Sequence, residues 1–87
     1  MANIDLARDI LRAIDPLFKK KRNVFYEVRL VMQPFSHKLN VFFEWGNIGH
    51  ATISRQIKSA PDISEEEAFH LKKTLERQLG IAVDLVV

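Results

Sequence analysis

The stretch SEEEAFHLKKTLERQLGIAVDLVV, residues 64–87, carries a helix with both ends marked and a strand after it. Ser64 followed by Glu65, Glu66 and Glu67 is a capping box. The Ser64 hydroxyl can accept from the Glu67 amide, and the Glu67 carboxylate can accept from the Ser64 amide. Three carboxylates in the first turn also face the positive end of the helix dipole. Ala68, Leu71, Leu75 and Leu79 recur at helical spacing and form one apolar stripe. Lys72, Lys73 and Arg77 lie toward the C-terminal half, where the dipole favours cations. Gly80 supplies the left-handed residue that stops the helix, and Ile81 can fold back on Leu75. Residues 81–87 are short, apolar and β-branched, which reads as a strand. A capped helix feeding an apolar strand implies a sheet that both join.

Upstream, Asn3 or Asp5 can begin a first helix with Ile4, Ala7, Leu11 and Ile14 on one stripe, broadened by Leu6 and Ile10. Asp15-Pro16 interrupts it, because proline lacks a donor and disfavours helix in the residue before it. Leu17 and Phe18 then remain free to pack on the sheet. Lys19, Lys20, Lys21 and Arg22 form the one concentrated charge run. It reads as a solvated helix end or, alternatively, as a phosphate-binding cluster.

Residues 23–32 alternate, with Val24, Tyr26, Val28, Leu30 and Met32 on one face. Residues 33–37 have turn composition, and residues 38–45 alternate again through Leu39, Val41, Phe43 and Trp45. Two such runs around a short loop predict an antiparallel hairpin. Gly46-Asn47-Ile48-Gly49 reads as a second turn. Residues 50–58 read as a weaker third strand, or as a short helix, with Ala51, Ile53 and Ile57 inward. Residues 59–62 link it to the capped helix. The expected fold is therefore α+β: a two-layer sandwich of order α-β-β-(β)-α-β. Two helices pack on one face of a three- to four-stranded, mainly antiparallel sheet. The last strand is expected beside the first.

The remaining properties limit function more than they define it. Eighty-seven residues allow one domain, residues 1–87, with one core. The 47% hydrophobic and 28% charged content is globular rather than disordered. No run approaches the roughly 18 apolar residues of a membrane span, and no signal-peptide pattern opens the sequence. The absence of cysteine excludes disulfides and thiol chemistry, and a domain without such staples suits a reducing, cytoplasmic setting. The net charge of +2 permits a polyanionic partner without demanding one.

Catalytic signals are thin. His37, His50 and His70 have no metal-ligand spacing, and His50 could at most approach Glu44 across the second hairpin. Glu65, Glu66 and Glu67 diverge around the helix and make no acid/base pair. No cofactor, metal, small-molecule substrate or enzymatic activity is expected. The order helix–strand–strand–strand–helix is shared with double-stranded-RNA-binding domains. Those need cations at the start of the second helix, where this chain has three glutamates. The GXXG form of residues 46–49 is shared with KH domains, but there the loop joins two helices. Neither family is assigned.

Two functions follow as expectations. Phe25 and Phe42 should lie on the sheet face away from the helices, with Val31, Ala82 and Val86 and among charged residues such as Arg29. Apolar surface there points to a regulatory or adaptor module. It would bind a protein, or its own copy, through Phe25, Arg29, Phe42 and Val86 and the last strand. The alternative is an RNA- or DNA-binding module using Lys19–Arg22 with Arg29, Lys38, Arg55 and Lys58, and Phe25 and Phe42 stacking bases.

Overall fold

The computed structural model describes residues 2–87, with side chains from residue 5 onward. Its elements are α1 (Ala2–Ile14), β1 (Val24–Gln33), β2 (Lys38–Asn47), β3 (Ile53–Ala60), α2 (Glu65–Leu79) and β4 (Ala82–Val86). The sheet order is β3-β2-β1-β4. The β1–β2 and β2–β3 pairs are antiparallel and β1–β4 is parallel, so α2 is the crossover that returns the chain to the far side of β1. The result is a two-layer α+β sandwich, with both helices on one face.

The cap of α2 forms as its residues require. Ser64 Oγ accepts from the Glu67 amide at 3.1 Å, and Glu67 Oε1 accepts from the Ser64 amide at 3.0 Å. Gly80 closes the helix in the left-handed region (φ 68°), its amide donating to the Glu76 carbonyl. Helix α1 begins at Ala2, ahead of the expected start at Asn3 or Asp5. The side chains of Asn3 and Ile4 lie outside the described residues. The helix stops at Ile14, one residue before Asp15-Pro16.

Phe43, Val28, Leu30, Leu39 and Val41 from the sheet meet Ile10 and Ile14 of α1 and Ala68, Leu71 and Leu75 of α2, all buried. Leu17 and Phe18 close one end of this core, the Phe18 ring edge-on to Tyr26 and to Phe43. Val28 stands opposite Phe43, Leu30 opposite Val41 and Met32 opposite Leu39. The expected hairpin register, with Phe43 inward and Phe42 outward, is the observed one.

Three boundaries differ. Gly46 and Asn47 belong to β2 rather than to a turn, and the reversal runs through residues 48–50. Gly46 is buried opposite Phe25, and a Cβ there would lie 3.2 Å from the Phe25 ring and 3.2 Å from the Ala51 carbonyl oxygen. It is glycine for close packing, not for a turn conformation. The third strand runs Ile53–Ala60, later than expected, so Ser59 and Ala60 extend it instead of linking it to α2. A bulge where β3 passes Val41 and Phe42 breaks its alternation. Of its three expected inward residues, Ile57 is half-buried, whereas Ala51 precedes the strand and, like Ile53, is exposed.

Candidate interaction site

The face of the sheet turned away from the helices is built from odd positions of β1 and even positions of β2 and β4. Arg29 stands at its centre, opposite Phe42 on one side and Asp84 on the other. Its guanidinium lies 3.8 Å from Glu44 and 3.8 Å from Asp84. Both distances exceed hydrogen-bond range, and the buried Nε has no hydrogen-bond partner. The Glu27–Glu44 pair would be repulsive by itself. Arg29 and the Ser54 hydroxyl, which donates to Glu44 at 3.1 Å, offset that repulsion. Toward β3, Asn40 Oδ1 accepts from Gln56 at 3.2 Å and from Ser59 at 3.1 Å.

Phe25 and Phe42 share this face but do not form one patch. Phe25 pairs with Gly46, Phe42 pairs with Arg29, and the Glu27–Glu44 pair lies between them. Four residues of strand separate the two levels, roughly 13 Å. The apolar continuity runs instead from Phe42 diagonally to Val31 and then straight across to Val86. Arg29, Phe42 and Val86 are therefore brought together, and Phe25 is left apart.

Val86 leads to the edge of the sheet. The edges, β3 and β4, differ in kind. The β3 edge is bulged and carries Arg55 and Lys58, features that discourage another strand from adding. The β4 edge is regular and pairs with β1 over Ala82–Val86 without a register shift. Its C-terminal half is flanked by exposed apolar side chains, Val86 at 43% and Val87 at 68% exposure.

Helix α2 packs against β4, and its Phe69 is 51% exposed, with Lys73 Nζ 5.2 Å from its ring centroid. The expected site did not include Phe69, because it falls off the Ala68–Leu79 stripe. Its signal in the sequence was its isolation: a phenylalanine on the polar side of a helix. The α1-facing flank of α2 is given by the groove of about 340 Å³ between Ala7, Leu11, His70, Thr74 and Gln78. Phe69, Lys72 and Glu76 thus occupy the opposite flank, toward β4. Lys72 donates to Glu76 at 3.0 Å there.

The cations of the alternative reading are dispersed. Lys19–Arg22 lie in the loop after α1 rather than on a helix end, Lys20 sitting over the Phe18 ring at 5.4 Å. The Lys21 amide donates to the Tyr26 hydroxyl at 3.1 Å, beside a recess of about 220 Å³ over Tyr26 and Trp45. Lys38 opens β2 at the other end of the sheet, Lys58 bonds Asp9 at 3.4 Å, and Arg29 sits between two carboxylates. Among the described residues no three His, Asp or Glu side chains gather as a metal site, and no helix is long and apolar enough to cross a membrane. His50 lies in the β2–β3 turn, and Glu44 is engaged by Ser54 instead. Compared with known proteins, the chain matches no family model, no curated protein and no solved structure.

Proposed function

We propose that this domain is a non-catalytic regulatory or adaptor module that binds a protein chain through β4 and the apolar surface beside it. The observation that carries this reading is the asymmetry of the two sheet edges. The β3 edge is bulged and cationic, whereas β4 is regular and flanked by Val86, Val87 and Phe69. An edge strand offers backbone donors and acceptors that an added strand can satisfy, and side chains beside it supply selectivity. Val31 and Phe42 extend the contact onto the uncovered face, with Arg29 available to an acceptor from the partner. The nucleic-acid alternative gains less support, since the two carboxylates beside Arg29 repel phosphate, Lys58 is paired with Asp9 and Lys38 stands far from Lys19–Arg22.

Val86→Asp tests the reading, because Val86 is exposed and its replacement leaves the core intact. The natural chain and the variant are each recovered from their native cells with whatever proteins they hold. A partner, or a second copy, retained by the natural chain and lost with Val86→Asp is the expected result. Equal retention by both would contradict it.

A further inference from the structure

We infer that the occupant of the β4 edge is a second copy of this chain, paired antiparallel about a two-fold axis that passes Leu85 and Phe69. This rests on the reading of β4 as the binding edge and commits that reading to one partner. Three independent features converge on the same axis.

The first is strand register. Two β4 strands related by a two-fold axis normal to the sheet can pair with Val83, Asp84 or Leu85 on the axis, and of these only Leu85 stands level with Phe69. Centring on Asp84 would set two carboxylates directly opposite each other, which is destabilising. Centring on Leu85 sets Leu85 against Leu85, Val83 against Val87 and Asp84 against Val86 of the second copy. Every pair then has at least one apolar member, and both helical layers stay on one side.

The second is the level of Phe69. Helix α2 and β4 run in opposite directions from Gly80. Eleven residues of helix back to Phe69 and five of extended chain forward to Leu85 each cover about 16 Å. Phe69 therefore stands level with Leu85. Because α2 packs over β4 and β1, two copies joined at β4 would hold their α2 helices about two strand spacings apart, roughly 10 Å. That is the interaxial distance of packed helices. Phe69, half-exposed in one copy, would be covered by Phe69 of the other.

The third is charge. Glu65 and Lys73 are each four residues from Phe69, and Glu66 and Lys72 are each three. All four therefore surround Phe69 on its own side of the helix. An antiparallel partner centred on Phe69 keeps each flank against the same flank of the other copy, which brings Glu65 to Lys72 and Glu66 to Lys73, and the reverse. The surface is complementary to itself under this rotation, as a two-fold interface requires. Lys72 already bonds Glu76, so Glu66 with Lys73 is the freer pair.

Charge reversal separates this geometry from other associations. Lys73→Glu alone sets carboxylates against each other at both Glu66 contacts, and Glu66→Lys alone sets ammonium groups there. Each variant should self-associate about tenfold more weakly than the natural chain in sedimentation. An equimolar mixture of the two, one fluorescently labelled, should form a heterodimer of natural strength, since both contacts then join opposite charges. Recovery on mixing also shows that both variants are folded. Phe69→Asp should abolish the dimer without changing the circular dichroism. A dimer indifferent to these changes, or a mixture that does not recover, would overturn the axis. A natural chain that stays monomeric at millimolar concentration would overturn the second copy as occupant. Binding of a different protein at β4 would then still stand or fall on Val86→Asp.

Discussion

Phe42 and Phe43 are consecutive residues on opposite faces of one sheet. Phe43 is 0% exposed, its ring 5.9 Å from Tyr26 and 5.6 Å from Trp45, while Phe42 stands half-buried opposite Arg29 on the face without helices. The same substitution should therefore have opposite consequences at the two positions. Phe43→Glu removes a core aromatic, at about 3–5 kcal/mol, and adds an unpaired buried carboxylate. The sum approaches the whole stability of a small domain, so the circular dichroism of the folded state should be lost. Phe42→Glu should stay folded, its carboxylate near Arg29 on the uncovered face. Unfolding by Phe42→Glu with tolerance of Phe43→Glu would reverse the two faces.

Gly46 and Phe25 are coupled by contact. Gly46→Ala places a Cβ 3.2 Å from the Phe25 ring, 3.2 Å from the Ala51 carbonyl and 3.3 Å from the Thr52 Cα. Overpacking of this kind costs about 1–3 kcal/mol. Phe25→Ala in the same chain should relieve part of that cost but not all, because two of the three contacts are backbone. Strict additivity of the two changes in thermal melting would show that the ring and the glycine do not communicate.

Ser64→Ala should lower stability by about 0.5–2 kcal/mol, since it leaves the Glu67 amide unsatisfied. Glu67→Ala should cost less, because the Ser64 amide it frees is reached by water. An unchanged melting midpoint for Ser64→Ala would reject the cap as a stabilising device.

What the sequence made legible were the elements whose signals are local. The capping box of Ser64 and Glu67, the stop at Gly80 and the alternation of β1 and β2 each arise within a few residues. Strand β3 was harder to bound, because its bulge shifts the alternation and it carries few apolar residues. The separation of Phe25 from Phe42 depends on hairpin register, which alternation alone leaves open by steps of two residues. Phe69 was missed for a different reason. It lies off the apolar stripe of α2, and its relation to the β4 edge exists only once α2 and β4 are packed.

The loop cations should be nearly silent. Lys20→Gln with Lys21→Gln removes two exposed charges that form no ion pair among the described residues, so melting should shift by less than about 0.5 kcal/mol equivalent. Retention on RNA should show no steep salt dependence that these changes reduce. A slope that falls by about one unit per cation removed would instead assign phosphate contacts to the loop.

Amide hydrogen exchange along β4 tests the binding edge most directly. In dilute solution the β4 amides that point away from β1 should exchange freely. At high concentration the same amides should become protected together, while those on the outer side of β3 remain open. Free exchange of the β4 edge at every concentration, or protection appearing at β3 instead, would contradict assembly of two copies through β4.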